Sequence, residues 1–193
     1  MSARRVPVLP SIIVAAAVAV MIALGIWQLG RADEKSAQIA QAEAAQQMQA
    51  RVAWPREAEQ WEARAYRWSD VTCEQVLEIT SRSARSASGA NGWGHYARCE
   101  LADGLEGEIG FGWSRDAQAP DWDGGRVETI LSPRGYGIAA SGQAGLEPIA
   151  RPDPNDLPNN HLAYAGQWFF FALTALVIYG FALRRKWRER DRS

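Results

Sequence analysis

One short stretch concentrates the residues able to do chemistry: Asn159-Asn160-His161-Leu162-Ala163-Tyr164-Ala165-Gly166-Gln167-Trp168. His161 stands where the chain passes into an apolar segment, and Tyr164, Ala165 and Trp168 follow it at helical offsets of three, four and seven. A titratable imidazole at a membrane edge is unfavourable unless something pairs with it, so its presence is in itself a functional-site hypothesis. Neutral imidazole is a good axial ligand for haem iron. Tyr164 and Trp168 could stack on or edge a porphyrin, and Ala165 and Gly166 would leave room for a flat ring. The plain alternative is a histidine that hydrogen-bonds at the interface, with Asn159 or Asn160 as partner. Those asparagines also stand where a helix N-cap belongs.

Two elements must position that stretch. No charged residue occurs from Val6 through Gly30, or from Leu162 through Leu183. As helices these segments would reach roughly 37 and 33 Å, enough to cross the hydrocarbon core. The sequence therefore predicts transmembrane helices over 6–30 and 161–183, with Pro7 and Pro10 at or before the first turn. The first is expected to be an uncleaved anchor. Its exit, Gly25-Ile26-Trp27-Gln28-Leu29-Gly30-Arg31, lacks a small-x-small cleavage site.

Charge sets the expected orientation. Arg4 and Arg5 precede the first span, and a basic tail over 184–193 follows the second with Arg184, Arg185, Lys186, Arg188, Arg190 and Arg192. Residues 31–160 hold 13 Lys/Arg against 20 Asp/Glu, a net of −7. Positive flanks stay inside, so both termini are expected in the cytoplasm and the middle region outside. Trp27, Trp168 and Tyr179 lie toward span ends, where amphipathic rings prefer the interface. The basic tail reads as a topology anchor rather than a lipid or nucleic-acid binder.

Between the spans, 31–64 reads as a helical stalk: an Ala/Gln/Glu-rich stretch continuing to Pro55, then a short helix over 57–64. From there to 158 the signals are β. Strands are expected over Tyr66–Cys73 and Gln75–Thr80, a Ser/Ala/Gly/Asn-rich loop over Ser81–Gly92, then strands over Trp93–Cys99 and Glu108–Trp113 around an Asp103-Gly104 turn. Val127–Leu131 and Gly135–Ala140 add short strands, and Arg151–Asn160 is an extended approach to the membrane. The expected fold is an α+β membrane protein, two transmembrane helices flanking a small, mostly antiparallel β domain on the outer side.

The run from Asn159 to Phe169 resembles the second-helix signature of the Surfeit locus protein 1 family of cytochrome c oxidase assembly factors: Asn-Asn-His-Leu, then Tyr-Ala, then Trp-Phe. Gly25-x-Trp27-Gln28-x-x-Arg31-x-x-x-Lys35 is similar to the family's other membrane signature. Gly94-His95-Tyr96 and Phe111-Gly112-Trp113 resemble its strand–hairpin–strand region, although Arg-Gly-Trp-Val-Pro is usual there. Here Phe111 replaces the Arg, Ser114-Arg115 replaces Val-Pro, and the segment from Trp113 to Pro148 is shorter than the family's.

The resemblance implies a non-enzymatic assembly factor in a bacterial inner membrane, with its central domain periplasmic. Its role would be to bind haem a or pass it to oxidase subunit I, with the haem a synthesis machinery as a further partner. His161 would be the axial ligand and Trp168 a helper that orients or releases the ring. A cofactor-free scaffold for nascent subunit I is the alternative.

Other residues carry weaker signals. Arg31 would pair with an acid, snorkel to headgroups, or meet a haem propionate. Gln28 could hydrogen-bond to the second helix. Cys73 and Cys99, the only cysteines, are expected to form a disulfide in an oxidising space. A copper site from both with His95 is the lesser reading. With two histidines there is no Ser-His-Asp set, and neither a phosphate loop nor zinc spacing appears. A haem- or thiol-dependent enzyme would need a second redox centre that nothing here supplies. The acidic middle region argues against nucleic acid.

Overall fold

The computed structural model describes residues 6–102 and 104–190. Arg4, Arg5, Asp103 and Arg192, used above for topology and for a turn, lie outside the described residues. The chain divides into two compact units, residues 1–38 with 158–193, and residues 39–157.

The first unit pairs most of α1 (Val8–Gln47) with α3 (His161–Arg190), each long and apolar enough to cross a membrane. Ile12, Ile13, Leu162, Phe170, Leu173, Ile178 and Phe181 are all more than half exposed, a surface suited to lipid rather than water. What faces inward is small: Ala32, Ala165 and Ala172 are buried. A Cβ on Gly25 would sit 2.6 Å from the Phe169 ring, so any larger residue there has to displace that ring. Without a hydrophobic force between helices in lipid, such packing and cross-helix hydrogen bonds hold the pair. The Ser11 hydroxyl bonds that of Tyr179 toward one end, and Asn159 Nδ2 donates to Ser36 Oγ at 3.1 Å toward the other.

In the second unit α1 ends at Gln47, and 48–57 is irregular before α2 (Ala58–Arg64). The helix expected to run to Pro55 thus stops earlier, at Gln47, while the short helix expected over 57–64 forms as α2. The reason is tertiary: Val52 N–H donates to Trp68 O at 2.8 Å, and Trp54 is drawn into the β core. A helix through this stretch would forfeit both.

Five strands follow: β1 (Trp68–Arg85), β2 (Asn91–Leu101), β3 (Glu106–Ser114), β4 (Gly125–Ser132) and β5 (Tyr136–Ala139). They close into a barrel in the order β1-β2-β3-β5-β4, all pairings antiparallel except β3 with β5. This is the strand order of the oligonucleotide/oligosaccharide-binding barrel, a Greek-key fold that hosts many unrelated functions. β1 bends to serve two neighbours, pairing with β4 over Trp68–Cys73 and with β2 from Cys73 to Arg85. Register shifts after Cys73 and Val76 mark the bend.

β1 therefore merges the two strands expected over 66–80, and its end replaces part of the loop expected over Ser81–Gly92; only Ser86–Ala90 turns. Pairing with β2 supplies the hydrogen bonds that the Ser/Ala-rich composition did not advertise. Val71, Ala97, Ile109, Phe111, Val127 and Leu131 fill the interior. Pro154–Asp156 forms a 3-10 turn within the segment expected to be extended.

Candidate functional site

His161 is the first residue of α3, and the Asn160 carbonyl accepts the Tyr164 N–H at 3.2 Å, opening the helix one residue earlier. Of the two asparagines placed at this helix start, Asn159 turns its amide to α1, donating to Ser36 Oγ and, at 3.4 Å, to Ala32 O. Its Oδ1 is buried without a hydrogen-bond partner. On α1, Gln28 lies one turn before Ala32 and presents its amide oxygen to His161.

The His161 Nδ1–Gln28 Oε1 distance is 2.8 Å. An amide oxygen can only accept, so Nδ1 carries a proton, and in the neutral tautomer this selects, the lone pair is on Nε2. A hydrogen-bonded Nδ1–H with a free Nε2 is how proteins orient a histidine for a metal. His161 Nε2 is therefore the atom that would hold a haem iron. Gln28 was expected to reach the second helix; its partner there is the helix's histidine.

The other candidates are placed as follows. Tyr164, one turn from His161, is 51% exposed. Trp168, one turn further, packs edge-on against Phe171 with ring centroids 6.2 Å apart. Ala165 is 1% exposed, so it presents no open surface to a ring, contrary to expectation. Nothing lies near a Cβ on Gly166, which stays open. Arg31, one turn from Gln28, pairs with Glu34 on its own helix while its side chain stays half exposed.

The cysteines are bridged, Cys73 to Cys99 with Cα atoms 5.3 Å apart. They are not directly opposed: Cys73 faces Leu101 and Val76 faces Cys99, and the β1 bulge brings them together. A cuprous site from these cysteines is overturned, since the bridge leaves no thiolate. His95 is 0% exposed, with Nδ1 2.8 Å from Ser81 Oγ and Nε2 2.8 Å from Ser114 Oγ. Ser114 spends its one proton on Asp116 O at 2.8 Å, so it accepts from Nε2–H while Ser81 donates to Nδ1. Burial lowers the His95 pKa, with Asp116 acting weakly the other way. This is a satisfied, neutral core histidine.

Residues 15–90 match the model of the SURF1 family. The SURF1 match runs from within α1 through α2 and β1 to the turn before β2, so it takes in Gln28 and Arg31. His161 lies beyond it, on the stretch whose motif resembles the same family. The SURF1 family is associated with cytochrome oxidase assembly and is an assembly family rather than a catalytic one. No curated protein matches the chain.

Proposed function

We propose that this chain is an assembly factor for haem-copper cytochrome c oxidase that holds haem a on His161 and passes it to oxidase subunit I. The observation that most supports the reading is the Gln28–His161 hydrogen bond, which commits Nδ1 to the amide and leaves Nε2 to bind iron. Bound haem would supply that iron and a large apolar ring. Tyr164 and Trp168 would edge the ring, and Arg31 would exchange Glu34 for a propionate. One protein ligand suits a carrier, which must bind and then let go.

The proposed setting is a bacterial inner membrane with both termini cytoplasmic, the barrel periplasmic and the haem a synthesis machinery nearby. Supporting it are the two apolar helices, the net −7 of 31–160 and a disulfide that persists in oxidising compartments.

The test is co-expression with the haem a synthesis enzymes, purification in mild detergent, and a reduced-minus-oxidised spectrum beside His161→Ala. A haem a signal absent from the variant is expected. Equal haem in both excludes His161 as the ligand, and haem in neither favours the cofactor-free scaffold.

A further inference from the structure

The unit containing the barrel is acidic, yet it gathers unpaired cations at one place. Residues 39–157 contain 11 arginines, no lysine and 18 Asp/Glu. Arg51, Arg82, Arg98 and Arg126 are in ion pairs, and Arg64 and Arg67 donate to backbone carbonyls. Among the described residues Arg85, Arg115, Arg134 and Arg151 make no ion pair. All of these but Arg115 line one cavity of about 380 Å³, within the range of small-molecule sites.

The wall of this cavity is firmly built. Tyr96 and Tyr136 meet edge-on at 5.4 Å, and the Arg82 guanidinium, neutralised by Glu108, lies 3.7 Å over the Tyr96 ring. Tyr66 is buried at φ 65°, a conformation that a bulky residue keeps only where its surroundings impose it. Its phenol is pushed up by burial, then by Asp153 and Asp156, which also line the cavity. Ile138 and Ile149 give an apolar floor. The cavity thus offers three guanidinium forks outside ion pairs, that of Arg151 lying 5.1 Å over the Trp68 ring, together with carboxylate and hydroxyl acceptors over an apolar base.

Three forks exceed what one carboxylate's two oxygens can use, whereas a phosphate presents more oxygens and more charge. We propose that the cavity binds a phosphate ester bearing hydroxyl groups, its phosphate on Arg85, Arg134 and Arg151 and its hydroxyls on Asp153 and Asp156. A glycerophospholipid headgroup and a soluble polyol phosphate share that chemistry.

Calorimetric titration of the full chain in detergent separates the sources, using glycerol 3-phosphate in one arm and a short-chain phosphatidylglycerol in the other. Saturable binding of at least one probe is expected, weakened about tenfold or more by Arg85→Gln or Arg134→Gln. Arg115→Gln, outside the cavity, should bind as the parent does. Binding of the free ester alone identifies a soluble ligand, and of the lipid alone a headgroup. Circular dichroism checks folding, and Arg134→Lys, which keeps charge but loses the fork, should fall between parent and Gln variant. Should a Gln variant not fold, the Lys variants at the same positions carry the test. No saturable binding of either probe, or unchanged binding in the Arg85/Arg134 variants, overturns the proposal.

Discussion

The chain's two histidines meet opposite surroundings. His161 keeps one nitrogen open because Gln28 takes the other; removing that acceptor frees the ring to rotate or change tautomer. Gln28→Leu should therefore weaken haem retention about 10- to 100-fold while the helices still insert, read as haem per polypeptide after purification. His95 has both nitrogens committed to serines and a pKa lowered by burial. The fold therefore binds its proton less readily than the unfolded chain does. Stability should hold above about pH 7 and fall as pH drops through about 6.5, the unfolded value, toward the lower folded one. Melting of the barrel followed by circular dichroism across pH 5–8 checks this, and His95→Gln should flatten the profile.

The first pairing was half legible: a polar Gln28 in a charge-free span was expected to reach the second helix, but His161 was given Asn159 or Asn160 as its partner, and Asn159 bonds to α1 instead. The second pairing was not legible. Ser81 and Ser114 belong to strands 33 positions apart, and Ser81 stood in a stretch whose composition reads as loop.

Among elements, β1 shows what composition hides. Its Ser81–Arg85 end is a strand because β2 lies beside it, and its bulge, absent from any simple alternation, brings the cysteines within bonding reach. Closing 26 positions of chain is worth about 3.5 kcal/mol on loop-entropy grounds. Cys73→Ser should lower barrel stability by roughly that amount, and reduction of the parent should reproduce the loss in a denaturant titration. In the helix pair, Gly25→Leu places atoms where the Phe169 ring stands. Either the ring shifts or the pair parts, and a lower melting temperature in detergent is the expected reading. Both apolar helices were plain from their lack of charge over a bilayer's width. The end of the first at Gln47 was not, because what stops it is Trp54 settling into a core assembled from distant strands.

At the scale of the molecule, a β-rich middle between two apolar helices was readable, and its closure was not. Contacts of β1 with β4 and of β3 with β5 join segments with no local signal, and the parallel pairing runs against a pattern of hairpins. Trp54 is a simple probe of that closure. It lies outside the strands yet packs within the barrel's core, so Trp54→Ala should cost about 3–5 kcal/mol in a denaturant titration of the barrel. The order of synthesis also bears on the helix pair. Gln28 and His161 are 133 positions apart, with the whole barrel encoded between them. At the usual pace of translation Gln28 waits roughly 7–27 s for its partner to be made. A stalled or prematurely ended chain can seat its first helix, but it has no imidazole to present, so the pair acts as a receipt that synthesis reached the second helix.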